Sequence, residues 1–341
     1  MSLDRDIKQK PKVLMLVTGS LFEQVFRPET LKELSSFAET ITPAEKDIPW
    51  KEFLPIAEGI ITSWGSLNEI TEEVLDQAPE LKIIGHAAGS ARNCAKIAIP
   101  RDIIVVNAAP AIARSVAEYC LGMTIACLRS FLQHDKNIKE SGTKEELSKG
   151  REHIATKGLF LKKVGLVGFG YTAREFAKLL KIFDAEVSVF DPYVDDEIIE
   201  LHGVKRAVDL KELLSNSDIV SLHIPGHARH TIGREEFKCL KDGAVFVNSS
   251  GGAVYDPEAF TEEVKTGRFW AATETDPFGG ILPPDSPLRS LTNVILTPHI
   301  AGPTIDARWM MGDCVVEELR RFFAGENPLY AITEGRVDHV A

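Results

Sequence analysis

The sequence predicts an α/β protein of two doubly wound, parallel-sheet domains, and three observations carry that expectation. Short β-branched runs alternate with helical patterns almost throughout the chain, as they do where helices connect parallel strands. The length of 341 residues, at roughly 150 per domain, suggests two domains. Two long helical patterns, Ala113–Phe131 and Thr304–Phe323, bracket the middle section, so the chain crosses between domains twice and its last segment returns to the first domain. The expected division is 1–112 with 300–341 for one domain and 113–299 for the other.

In chain order, strands are predicted at Val13–Val17, Gly59–Thr62, Lys82–Gly85 and Ile103–Val106, with helices over Glu29–Phe37 and Glu69–Ala78. Next comes the amphipathic pattern at Ala113–Phe131, carried by Val116, Ala117, Cys120, Leu121, Thr124, Cys127, Leu128 and Phe131. A charged stretch without strong periodicity, Gln133–Lys157, reads as a solvated helix and loop. Further strands are expected at Lys163–Val167, Glu186–Phe190, Ile219–Leu222, Ala244–Val247 and Val294–Leu296, and helices near Thr172–Ile182, Leu210–Leu214 and Pro257–Thr266. Gly325 and Pro328 close the last helical pattern.

Composition narrows the class. Apolar residues make up 44% and charged residues 26%, ordinary for a globular protein and enough for two cores. The net charge of −11 argues against nucleic acid or an anionic membrane as a partner. Five scattered cysteines, with no C-x-x-C, read as reduced and mostly buried. The first twelve residues lack the apolar core of a signal peptide, and no stretch approaches the 18 apolar residues of a membrane span. A soluble, cytoplasmic protein is expected.

The sharpest local signal is Val164-Gly165-Leu166-Val167-Gly168-Phe169-Gly170-Tyr171-Thr172-Ala173, a strand, a glycine turn and a helix start in the pattern G-x-G-x-x-A. Gly168 permits the tight turn, Gly170 lets backbone approach a pyrophosphate, and Ala173 allows close helix–strand packing. The helix start offers N–H groups and a positive dipole end to that pyrophosphate. Asp191, 21 residues beyond Gly170, ends the next strand. An acid there accepts hydrogen bonds from ribose hydroxyls and repels a 2′-phosphate, which favours NAD over NADP. The bland alternative is a glycine-tight turn that binds nothing.

Several segments, in this order, resemble the D-isomer-specific 2-hydroxyacid dehydrogenase family. They are Leu81-Lys82-Ile83-Ile84-Gly85-His86-Ala87-Ala88-Gly89-Ser90, Val116-Ala117-Glu118, the glycine loop with Asp191, Asp218-Ile219-Val220-Ser221-Leu222-His223-Ile224-Pro225, and Thr297-Pro298-His299-Ile300-Ala301-Gly302. The resemblance implies a Rossmann NAD-binding domain inserted into a flavodoxin-like substrate-binding domain, and a homodimer built around the helix at 113–131. It implies cofactor contacts from Gly168, Phe169, Gly170, Tyr171, Thr172, Asp191, Pro192, His223, Ile224, Pro225, Asn248, Ser249, Ser250, Thr275, His299 and Gly302. The substrate, a small organic acid, would be gripped by Ala88, Gly89 and Ser90, with Arg92 and Trp64 near it. No spacing suggests a metal site; His202, His227 and His230 have no partners for one. The acidic pairs Glu145–Glu146 and Glu262–Glu263 read as solvated helix faces.

Family members exchange a hydride with a 2-keto or D-2-hydroxy acid by means of a His, a Glu and an Arg. His299 fits the His position, with a packed or solvent-capped His after a proline turn as the bland reading. The Arg position, in the register fixed by Asn248 and Asp256, holds Gly251, and Phe278–Gly280 cover the Glu position. Asp276 and Glu274 are possible stand-ins, but both fit better as relatives of the acid that ends the preceding strand. Losing a bidentate clamp removes two charge-assisted hydrogen bonds of about 1.5–3 kcal/mol each. Candidate substitute anchors are Arg92, Arg114, His86 and Arg308, for each of which a surface or interdomain salt bridge is the more ordinary role. Trp64 and Phe278 could wall a bulkier substrate or simply pack in a core. The reading is an NAD-dependent oxidoreductase of CH–OH groups with an atypical site; the rivals are a non-catalytic NAD(H) sensor and an isomerase that uses bound NAD transiently.

Overall fold

The computed structural model describes residues 9–17, 19–43, 48–153, 156–274 and 282–339. The chain divides into two compact units, Met1–Ile112 with Pro303–Ala341, and Ala113–Gly302.

The first unit holds a parallel five-stranded sheet of β1 (Lys12–Met15), β2 (Glu39–Ile41), β3 (Gly59–Thr62), β4 (Ile83–His86) and β5 (Ile104–Asn107), in the order β2-β1-β3-β4-β5. This is the flavodoxin-like order, in which the direction of strand addition reverses between β1 and β3. β3 and β4 are buried along their whole length, as strands covered on both faces must be. One face is covered by the helix Ile305–Phe323, whose Met311, Val315, Val316 and Leu319 join Val13, Met15, Ile61 and Ile83 in one core. Gly85 makes that seat possible, because a Cβ there would stand 2.4 Å from Val315 Cγ1 and 2.8 Å from Leu319 Cδ1.

The second unit holds a parallel seven-stranded sheet of β6 (Lys163–Val167), β7 (Glu186–Phe190), β8 (Lys205–Arg206), β9 (Ile219–Leu222), β10 (Val245–Asn248), β11 (Trp270–Thr273) and β12 (Val294–Leu296). The order is β12-β11-β10-β9-β6-β7-β8, the Rossmann arrangement with one additional strand, and its switch point lies between β6 and β9. An aromatic cluster of Phe237, Phe246, Tyr255, Phe260 and Phe269 fills the core on one side.

Several expectations need correcting. The helix predicted at Ala113–Phe131 runs over Ala109–Leu128 and stops because Ser130 takes a left-handed conformation, φ 52°. Gln133–Lys157 is mostly helical, Phe131–Glu140 followed by Lys144–His153, held by i,i+4 pairs such as Lys139 with Asp135. The helix predicted at Glu69–Ala78 shrinks to Glu72–Asp76, started by Thr71 capping Val74 N–H. β2, β8 and β11 lie outside the predicted strands; β2 and β8, of three and two residues, are edge strands defined only by the neighbour each pairs with. Ala109–Leu128 is also long and apolar enough, by length and composition, to cross a membrane, contrary to the count made from sequence. Two polar groups early in the helix, Arg114 and Glu118, had masked that character.

Candidate active site

At the switch point of the second unit, the turn after β6 meets the turn after β9. Gly168 has φ 88°, and a Cβ there would sit 2.5 Å from the backbone oxygen of His223 and 2.9 Å from Ile224 Cγ2. Only glycine fits. Around Gly170, by contrast, a Cβ would meet nothing within 4 Å, so the loop has open space over its second glycine. Ala173 is fully buried where the helix Tyr171–Lys181 leans on the sheet. The start of that helix directs its first N–H groups out of the loop. A cradle closed underneath and open above fits the diphosphate of a dinucleotide.

Asp191 directly follows β7. Its Oδ2 accepts the Phe169 N–H at 2.7 Å, and its Oδ1 accepts those of Tyr193 and Val194 at 2.8 and 3.1 Å. The carboxylate is thereby locked beside the glycine loop, with Pro192 exposed after it. Arg206 is occupied nearby, donating to Asp191 O, Val194 O and Asp196. Phe169 is buried, with the ring of His202 edge-on at 5.4 Å, which gives His202 a packing role.

The loops after β9 and β10 knit together. Ile224 N–H donates to Ser250 Oγ at 2.9 Å, Ser249 Oγ donates to Leu222 O at 3.2 Å, and Ser250 N–H donates to Asn248 Oδ1 at 2.9 Å. His223 Nε2 is enclosed and has no hydrogen-bond partner, while burial lowers its pKa to about 3, so the ring is neutral. Gly251, in the position of the family Arg, has φ 93°. The departure therefore involves the backbone as well as the side chain, since an arginine would be strained there.

His299 is also in the left-handed region, φ 54°. Its N–H is shared between Glu274 O at 2.7 Å and Thr297 O at 3.1 Å. Its Nε2 lies 3.9 Å from Glu274 Oε1; the His side chain is 75% exposed and the Glu 5%. Glu274 also accepts the Ala301 N–H at 3.2 Å. Burial raises the Glu274 carboxyl pKa, an effect that the His299 charge and the Ala301 N–H partly offset. A carboxylate set aside in the sequence is thus the acid that reaches His299. Sequence reasoning missed it because alignment weighs position along the chain, whereas the β11 end and the His299 turn meet through their backbones. Two braces were likewise illegible: Tyr119 and Thr297 share a hydrogen bond of 2.7 Å, and Ser115 Oγ donates to Ala301 O at 2.8 Å. Gly302 is buried beyond them. Thr275, Asp276 and Phe278–Gly280 lie outside the described residues.

In the first unit, Ala88 is buried in the turn after β4, and the N–H groups of Gly89 and Ser90 donate to no acceptor among the described residues. Of the proposed substitute cations, Arg92 is taken by Asp338 at 2.7 Å, and Arg114 is exposed. His86 is corrected outright as an anchor: it is buried, shares a 3.0 Å hydrogen bond with Thr62, and burial lowers its pKa to about 4. It is neutral at pH 7. Because the unfolded chain binds this proton near pH 6.5 and the folded one only near 4, stability falls as pH drops through that window. The expected loss is about 3 kcal/mol. Urea unfolding midpoints at pH 7 and pH 4 measure it, and the difference should shrink in His86→Asn. Arg308 is the remaining candidate: it hydrogen-bonds Gln24, lies over the Trp64 ring at 6.0 Å, and has no ion pair among the described residues.

A glycine cradle at the switch point of a Rossmann sheet, followed by a locked acid, defines a dinucleotide-binding α/β protein. The family model described as "D-isomer specific 2-hydroxyacid dehydrogenase, NAD binding domain" matches residues 121–301. The chain is 32% identical over 317 residues to D-3-phosphoglycerate dehydrogenase of Methanocaldococcus jannaschii, covering 92% of this chain and 58% of that protein. It is 34% identical over 261 residues to hydroxypyruvate reductase of Thermotoga maritima, covering 74% and 81%. The crystal structure of PH0520 protein from Pyrococcus horikoshii OT3 aligns with a TM-score of 0.79 at 27% identity, over 97% of each chain. Apo D-mandelate dehydrogenase of Rhodotorula graminis shares the fold, with a TM-score of 0.80 at 20% identity over 95% of this chain and 98% of that one. The protein belongs to the D-isomer-specific 2-hydroxyacid dehydrogenase family, and the stretch 121–301 is its NAD-binding domain. The chain spans about half the length of the D-3-phosphoglycerate dehydrogenases it matches, 58% and 49% for the first two.

Proposed function

We propose that the protein is an NAD(H)-dependent oxidoreductase that interconverts a 2-keto acid and a 2-hydroxy acid. The observation that carries this reading is His299, held in a constrained backbone conformation with its ring within 4 Å of the buried Glu274 carboxylate. A positive-φ residue that is also titratable and paired marks a site where strain serves function. Bound NADH supplies the hydride. His299 gives a proton to the carbonyl oxygen as the alkoxide develops, and Glu274 stabilises the imidazolium that must be present beforehand. Gly168, Gly170 and the first turn of Tyr171–Lys181 hold the diphosphate, and Asp191 meets the adenosine ribose. In the first unit, the N–H groups of Gly89 and Ser90, which meet no acceptor among the described residues, support a role for that turn in binding a carboxylate. Loss of NADH absorbance with a panel of 2-keto acids tests the reading; no turnover on any member rejects it.

Asp191 supports a preference for NADH over NADPH, since a fixed carboxylate repels a 2′-phosphate. Asp191→Ser should lower the NADH-to-NADPH ratio of kcat/KM by about 10–100-fold, the worth of hydrogen bonds to a charged group. An unchanged ratio would remove Asp191 from the cofactor site. The φ of 93° at Gly251 favours one rival, a relative that binds NADH without transferring hydride. Tight NADH binding together with no turnover would select that rival. A homodimer is also proposed. Val116, Leu121, Met123 and Ile125 are only half-buried along the helix Ala109–Leu128, and Phe131, Leu132 and Ile138 are exposed beyond it. Light scattering of the purified chain decides the oligomeric state.

A further inference from the structure

His299 is held in place by its backbone. Its side chain is 75% exposed, so packing does not orient the ring. Its φ of 54° is a conformation that a non-glycine residue keeps only where surrounding contacts impose it. Those contacts come from two directions. The end of β11 supplies the first set: Thr273 O accepts the Thr297 N–H at 3.1 Å, Glu274 O accepts the His299 N–H at 2.7 Å, and the Glu274 carboxylate accepts the Ala301 N–H at 3.2 Å. The helix Ala109–Leu128, in the same unit, supplies the second set through side chains. The Tyr119 hydroxyl shares a 2.7 Å hydrogen bond with Thr297 Oγ1, two residues before His299. Ser115 Oγ donates to Ala301 O at 2.8 Å, two residues after it. Ser115 and Tyr119 are four residues apart, so they share one face of the helix and grip both shoulders of a single turn. The helix packs through Ala117, Cys120, Cys127 and Leu128, with the Tyr119 ring beside them. Phenylalanine would serve that packing as well; the hydroxyl adds the bond to Thr297.

From this geometry we infer that Ser115 and Tyr119 are positioning residues: they pin the turn on either side of His299 and so keep its imidazole at the Glu274 carboxylate. The inference rests on the function proposed above and names the part of the chain that sets the geometry of its proton donor. A reacting group displaced by 1 Å loses about 10²-fold in rate. The glycine loop and Asp191, which serve the cofactor, take part in none of these bonds. Loss of the two hydroxyls therefore falls on kcat and spares NADH affinity.

Kinetics and amide hydrogen exchange on the full chain test this. Tyr119→Phe and Ser115→Ala should each lower kcat about 3–10-fold, and the double variant about 10–100-fold, with the Kd for NADH within about twofold of native by calorimetry. Thr297→Val should repeat the effect of Tyr119→Phe, and Thr297→Ser, which keeps the hydroxyl, should restore most of the rate. Independently of turnover, the His299 and Ala301 amides should exchange at least about tenfold faster in the double variant, while the Phe169 amide, bonded to Asp191, keeps its rate. If the native protein turns over no 2-keto acid, the proposed reaction fails, and the exchange rates alone decide whether the helix pins the turn. An active enzyme whose kcat survives both substitutions overturns the inference, and so do unchanged exchange rates. A fall in kcat matched by an equal loss of NADH affinity and a lower melting temperature also overturns it, because that is a general loosening of the unit.

Discussion

His299→Gln is expected to lower keto acid reduction by about 10²–10⁴-fold, the usual worth of a positioned proton donor. NADH affinity should fall by far less. Glu274→Gln is expected to separate stability from activity. Burial raises the pKa of this carboxyl above its ordinary value, so its ionised form costs the fold free energy, and that cost grows as pH rises from 4.5 through the raised pKa. The amide should therefore give a higher melting temperature than the native protein at pH 8. It should also give slower reduction, because the imidazolium has lost its counter-charge. Stability gained together with activity lost is the trade expected of a functional site. Should Glu274→Gln leave the rate of reduction unchanged, the pairing seen at 3.9 Å has no catalytic meaning.

The second large effect is at the glycine loop, where neighbouring positions make opposite demands. Gly168→Ala adds a Cβ 2.5 Å from a backbone oxygen at φ 88° and is expected to destabilise the second unit by about 2–5 kcal/mol. NADH binding should be lost with it. Gly170→Ala places its Cβ in open space at φ −72°, so the melting curve should barely move. It should nevertheless weaken NADH by about tenfold or more, since the methyl group stands where the diphosphate must approach. Calorimetry and thermal unfolding of the two variants read both quantities. Unweakened NADH binding by Gly170→Ala would mean that the loop is not the cradle.

The long, continuous apolar strands and the glycine turn were legible because their causes are local: a buried parallel strand must be apolar throughout, and φ near 90° asks for glycine. β8, two exposed residues, has no such local cause and exists because Ser188 and Val189 offer it a ladder. At the site, His299 was legible from Thr-Pro-His, and Gly251 from its register between Asn248 and Asp256. What escaped were relations across the chain: Glu274 reaching His299, Tyr119 bracing Thr297, and Asp338 drawing Arg92 away. His86 looked like a cation in a list of residue types and is a neutral core group once burial is known. Pairings of this kind depend on which segments the fold brings side by side, and spacing in sequence does not encode them.

The discontinuous first unit has a consequence for biogenesis. Its N-terminal segment leaves the ribosome before the middle unit, whereas the helix Ile305–Phe323 that roofs its sheet is made after it. Maturation therefore runs out of chain order, with the contiguous centre able to finish while the flanks wait. Throughout translation of that centre, Val13, Met15, Ile61 and Ile83 lack the cover of Met311, Val315 and Leu319, which leaves apolar surface on the nascent chain exposed to self-association.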